Sequence, residues 1–137
     1  MVDIDLDMGE DQEHGVPPGV RVSLVVGMTR DERLYLRARF ALAGMNVLDE
    51  AETAEQAGAL LTQRHYDVVL VSLELPDADP WALVQALPGM LMPPRSVIVA
   101  THAPTWAAME RAEQFGCAGL LEIPFVPAQI LGLLQKL

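Results

Sequence analysis

At 137 residues and 51% hydrophobic content, the chain suits one domain with one substantial core; its mean hydropathy is +0.24, yet no apolar run approaches the roughly 18 residues of a membrane helix. The net charge of −10 is uneven: residues 1–18 hold six acids and no Lys or Arg, and the rest sets thirteen acids against nine bases, a balance without the basic patch a phosphate-backbone binder needs, so neither nucleic acid nor membrane is expected as a partner. The single cysteine, Cys117, excludes an internal disulfide, and the opening residues lack a basic start and an apolar block, so the expected location is cytoplasmic.

Residues 1–19 alternate acids with small apolar residues and end in Gly15-Val16-Pro17-Pro18-Gly19. That composition buries too little surface to offset its ordering entropy, which predicts a disordered acidic leader, with an acidic docking tail as the alternative. Residues 20–26 are a buried strand ending at Gly27 and Met28. Thr29 with Glu32 forms a capping box that opens a helix to about Ala43, and Gly44 stops it. A short strand follows at 46–49, then a second capping box, Thr53 with Gln56, opens a helix to Arg64.

Residues 67–72 form a continuous β-branched run that ends at Ser72 before a Pro/Asp loop. Such a run is a strand buried on both faces, at the centre of a parallel sheet. Pro80 takes the first position of a short helix through Leu87, and Pro88-Gly89 and Pro93-Pro94 bound a loop. Residues 95–101 are the fourth strand, 104–115 a helix stopped by Gly116, 119–122 the fifth strand, and Pro127 opens a helix running to Leu137. Strict alternation with short connections predicts an α/β, flavodoxin-like (βα)5 three-layer sandwich over residues 20–137, its five-stranded parallel sheet in the order 2-1-3-4-5. In such sheets the site lies outside the carboxyl ends of the central strands, which puts Ser72 on its floor.

With these elements placed, residues 20–137 resemble the receiver domain of bacterial two-component response regulators, the CheY-like family. The matches are Pro76 and Asp79, four and seven residues beyond Ser72; Thr101 closing the fourth strand; Gly116 and Gly119 within the run from Ala112; and Pro124-Phe125 after the fifth strand. The resemblance implies a phosphoacceptor aspartate where Ser72 stands, an acidic pair where Gly27 and Met28 stand, and a lysine where Ile123 stands. Phosphoryl chemistry needs carboxylates to hold Mg²⁺, one to accept the group, and a cation to neutralise developing charge. What the family's pocket retains here is Thr101, Pro124 and the Glu74 carbonyl, and the family's aromatic switch position holds Leu120. The Ile123-Pro124 bond corresponds to one that is cis in the family.

The expectation is a pseudo-receiver: a signalling module for protein–protein interaction or dimerisation that is not an enzyme, is not activated by aspartate phosphorylation, and has no catalytic residue, metal or cofactor. Alternatives are a receiver-fold sensor binding a small apolar ligand among Gly27, Met28, Ser72 and Ile123, or the N-terminal regulatory domain of a larger transcription regulator or pilus-assembly ATPase. Two chemical readings stand against simpler ones. Ser72 as a nucleophile would need His102 as its base, against a hydrogen-bonded serine in a shrunken pocket. Glu74, Asp77 and Asp79 form an acidic loop able in principle to hold a cation, against ordinary turn chemistry. Cys117 reads as a small buried hydrophobe.

On the helix from Pro104 the expected inward stripe is Thr105, Ala108, Met109, Ala112 and Phe115, leaving Trp106 outside. The last helix carries Ile130, Leu131, Leu133, Leu134 and Leu137, a stripe wider than one core face requires. The predicted partner or self-association surface, on the side of the fourth helix, fifth strand and last helix, therefore comprises Trp106, Leu120, Ile130, Leu133 and Leu137.

Overall fold

The computed structural model describes residues 21–137, so the predicted leader over 1–19 lies outside the described residues. The elements are β1 (Val22–Val26), α1 (Arg30–Leu42), β2 (Val47–Ala51), α2 (Ala54–Leu61), β3 (Val68–Ser72), α3 (Pro80–Ala86), a 3-10 turn (Leu87–Gly89), β4 (Ser96–Thr101), α4 (Trp106–Gln114), β5 (Gly119–Glu122) and α5 (Pro127–Gln135). All neighbouring strands pair in parallel, in the order β2-β1-β3-β4-β5. This is the flavodoxin-like arrangement expected from the alternation of elements.

Period-two alternation divides each inner strand between two cores. Leu24, Val26, Val69, Val71 and Val99 face α2, α3 and α4, where Ala57, Leu61, Val84 and Ala112 cover them. Val25, Leu70, Ile98 and Ala100 face the other way, against Leu36 and Phe40 of α1 and Ile130 and Leu134 of α5. Each inner strand thus buries apolar side chains on both faces, which is why its sequence carries so few polar interruptions.

Local chemistry sets the ends of the helices, and in places it departs from the expected limits. At α1 both arms of the capping box are formed: the Glu32 N–H donates to Thr29 Oγ1 at 3.2 Å and the Thr29 N–H to Glu32 Oε1 at 2.8 Å. At α2 only half forms, because Gln56 Oε1 accepts from the Glu52 N–H instead of from Thr53. That helix ends at Leu61, not Arg64. The α4 helix starts two residues later than expected, since the Thr105 hydroxyl accepts from the Ala108 N–H and so acts as the cap, leaving Pro104 outside.

Two surface expectations are corrected by packing. Met109, expected inward, is 45% exposed, whereas Ala112 on the same helix is buried. Ile130, expected at an interface, is 1% exposed and belongs to the core with Leu134; Leu133 and Leu137 pack against that same core. The wide stripe of α5 has two surfaces to fill, the sheet and the flank of α1, and Leu133 also covers Gly119, where an added Cβ would come within 2.9 Å of its Cδ2. Leu120 is likewise part-buried against the other core. Of the expected surface residues, Trp106 stands clear, at 81% exposed.

Candidate functional site

The strand order reverses between β1 and β3, so the crevice beyond their carboxyl ends is where a doubly wound sheet places its site. Gly27 and Met28 leave β1 there, Ser72 ends β3, Thr101 ends β4, and Ile123 follows β5. All the expected site positions therefore meet at one end of the sheet.

The floor is filled rather than open. Gly27 has a φ of +80°, and a Cβ added to it would lie 2.9 Å from Leu75 Cδ1 and 3.3 Å from Ser72 Cβ, so this backbone accepts only glycine without rearrangement. Met28 and Ile123 are buried in the α1–α5 core. Ser72 is buried, and its hydroxyl accepts from the Glu74 N–H at 3.1 Å, a short turn that holds the loop after β3. Met28, Ser72 and Ile123 thus present packed side chains at the floor.

Above the floor, one histidine ties three loops together. His102 Nδ1 lies 2.9 Å from Glu74 Oε1, and its Nε2 lies 3.2 Å from Glu32 Oε2. Glu74 also accepts from the Thr101 hydroxyl at 2.6 Å and from the His102 N–H at 3.2 Å. The loops after β3 and β4 and the first turn of α1 thus form a Glu74–His102–Glu32 clasp across the mouth. Burial pushes the Glu74 carboxyl up, but the hydrogen bonds from Thr101 and His102 outweigh it and leave its pKa below the ordinary value. The hydrogen bond to Glu74, reinforced by the charges of both glutamates, holds the His102 pKa above its ordinary value despite some desolvation.

This arrangement decides between the chemical readings of the loop. Both ring nitrogens of His102 face carboxylates, so the geometry does not make it a base for Ser72. Asp77 caps α2 by accepting from the Ala54 and Glu55 N–H groups at 2.9 and 3.3 Å, and Asp79 caps α3 by accepting from the Trp81 N–H at 3.0 Å. Glu74, Asp77 and Asp79 point to three different partners and do not converge on one point. Thr101 closes β4 with its hydroxyl on the Glu74 carboxylate, and the Ile123-Pro124 bond is cis, as the resemblance implies. Cys117 is half-buried, and burial pushes its thiol pKa up.

Sequence reading named Glu74 for its carbonyl and as an acid of the loop, but missed its pairing with His102 and missed Glu32 as a site group. The capping box was the available signal for Glu32, because it puts that side chain in the first turn of α1, at the same end of the sheet as His102. Outside the clasp, a cavity of about 400 Å³ is walled by Tyr35, Ile123, Pro124 and Phe125, with Glu32 and His102 at its edge. Tyr35 and Phe125 stack on each other in its wall, 5.9 Å between centroids.

No family model matches the chain. The sensory transduction protein LytR of Staphylococcus haemolyticus is 32% identical over 75 residues, which is 55% of this chain and 28% of LytR, so the chain matches under a third of that relative's length. Among solved structures, the chemotaxis response regulator CheY4 of Vibrio cholerae superposes with a TM-score of 0.73 at 19% identity, over 85% of this chain and 98% of CheY4. A response regulator from Thermotoga maritima gives 0.76 at 17% identity, covering 85% and 96% of the two chains. The signal receiver domain of an HD domain-containing protein from Pseudomonas fluorescens Pf-5 gives 0.74 at 23% identity, covering 85% and 93%. At these identities the likeness is one of fold, and that fold is the CheY-like receiver fold.

Proposed function

We propose that this chain is a signalling module of the response-regulator kind, a pseudo-receiver that works by protein association and not by accepting a phosphoryl group. The observation that carries this reading is the packed floor of the site. Where receiver chemistry would need an acceptor, a carboxylate pair and a cation, Ser72, Gly27 with Met28, and Ile123 stand, three of them buried and the fourth in a backbone conformation suited to glycine. Mg²⁺ sheds its waters reluctantly and needs carboxylates, and this floor offers none. In this reading the domain is not an enzyme, holds no metal or cofactor, acts within the cytoplasm, and meets its protein partner, or a second copy, through the exposed face of α4. That face carries Trp106 and Met109 with Glu110 and Glu113 around them.

The decisive experiment is titration with Mg²⁺ and beryllofluoride while following the amide resonances of Ser72, Leu73 and Gly27. The expected outcome is no saturable shift. Saturation at sub-millimolar Mg²⁺, or a mass gain of one phosphoryl group with acetyl phosphate, overturns the reading. The match to part of LytR suits a regulatory domain within a longer signalling protein, and mass spectrometry of the native protein tests that extension.

A further inference from the structure

Four of the nine Lys and Arg residues stand on α1: Arg30, Arg33, Arg37 and Arg39. Arg33 and Arg37 pair with Glu50 of β2. Arg39 has no such carboxylate among the described residues: its guanidinium lies over the Tyr35 ring, 4.9 Å from the centroid, and its Nε is buried without a hydrogen-bond partner. That N–H is enclosed within the fold; what faces the groove is the rest of the part-exposed guanidinium, whose charge is free to take a carboxylate.

Beside Arg39 a cavity of about 150 Å³ opens between α1 and α5, walled by Leu42, Pro127, Ala128 and Leu131. Leu42 is 74% exposed and Leu131 42%. Leu34 on α1 and Val126 at the cap of α5 are exposed as well, so four of the seven large apolar side chains left exposed among the described residues belong to these two helices. An occupant needs apolar side chains at close intervals and a carboxylate for Arg39.

The chain itself contains such a segment. Val2-Asp3-Ile4-Asp5-Leu6-Asp7-Met8 alternates the two kinds of residue, and it lies in the part of the chain outside the described residues. Where the described chain starts, Arg21 Nη2 donates to the Leu137 carbonyl at 3.2 Å, so the polypeptide enters the domain next to the carboxyl end of α5. From there back to Leu131 is about 9 Å of helix at 1.5 Å per residue. The residues between Met8 and Arg21 span up to about 40 Å when extended. Reach is therefore ample, and a short tether raises the local concentration of the segment to about the millimolar range.

We propose that the segment from Val2 to Met8 docks into the α1–α5 groove of its own molecule, its apolar side chains against Leu42 and Leu131 and one of its aspartates on Arg39. The acidic leader is then a cover for this flank, and a partner using the flank must displace it. The surface is distinct from the α4 face, so the two proposals stand or fall separately.

The test is paramagnetic broadening in the full chain, with a nitroxide carried by the Gly9→Cys, Cys117→Ser variant. The expected result is amide broadening concentrated at residues 38–42 and 127–131, unchanged on dilution with unlabelled chain. It should vanish when Asp3, Asp5 and Asp7 are all replaced by Asn, substitutions outside the folded domain, and weaken with Arg39→Gln. Broadening spread evenly over the domain, broadening that survives the Asp→Asn replacements, or broadening lost on dilution because a second copy supplies the segment would each overturn the proposal.

Discussion

Two residues define how the site behaves, and both are testable singly. Gly27 sits at positive φ with Leu75 and Ser72 against it, so Gly27→Ala should lower stability by roughly 1–3 kcal/mol in chemical denaturation, from backbone strain together with overpacking. An unchanged denaturation midpoint would show that the turn after β1 adapts freely. His102 makes the clasp pH-dependent. Its pKa is raised above 6.5, so its contribution is complete below 6.5 and fades as pH rises through the raised value. Glu74 is shifted the other way, below 4.5, so its contribution is present above 4.5 and is lost as pH falls through the lowered value. The clasp is therefore strongest between those limits. Proton NMR titration should find the His102 pKa above 6.5 in the native chain and nearer the ordinary value in Glu74→Gln; equal values in the two proteins would mean that Glu74 does not hold the ring.

Among the elements, α5 departs from the role that its sequence suggests, while Trp106 of α4 stays outside as expected. The α5 stripe reads as partly exposed, but the helix fills two surfaces and Ile130 is core. Ile130→Ala should then cost about 2–5 kcal/mol of stability, as core truncations do, and any loss of association should follow from unfolding alone. Trp106 is the converse. Its side chain projects from α4 into solvent, so Trp106→Ala should leave the melting temperature within about a degree or two of the native value. If α4 is the association face, the same change should weaken association by about 2 kcal/mol, roughly thirtyfold in dissociation constant, because Trp is enriched among interface hot spots. Sedimentation or a partner titration reads the second effect. A lower melting temperature with unchanged association would make Trp106 a packing residue.

For the whole molecule, the proposed reading turns on whether one substitution could introduce receiver chemistry. In that reading an acceptor, metal ligands and a cation would have to stand at the ends of β3, β1 and β5, three strands brought together only by the sheet, and groups acting as a unit are strongly non-additive. Ser72→Asp alone should remain unmodified by acetyl phosphate when followed by intact-protein mass spectrometry; a phosphoryl adduct on the single variant would refute this. Adding Gly27→Asp is opposed by the backbone itself, since φ is +80° there and Leu75 stands where the new side chain would begin. Among the described residues no helix is long and apolar enough to cross a membrane.

Much of this was determined by local sequence. Capping residues, glycine stops and uninterrupted β-branched runs act over a few neighbours, so the element order, the sheet order and the place of Ser72 at the sheet end followed from the chain read alone, while the resemblance supplied Gly27, Thr101 and Ile123 beside it. Tertiary structure alone decided where the side chains went. Helical periodicity tells which residues share a face but not how many neighbours that face must cover, so it could not show that Ile130 and Leu133 are consumed by packing while Leu131 stays outside. Nor could spacing show that Glu74, 28 residues from His102, and Glu32, 70 residues away, would grip the same imidazole. That contact exists because two loops and a helix turn from distant parts of the chain end at the same edge of a parallel sheet, where the two carboxylates raise the pKa of the imidazole.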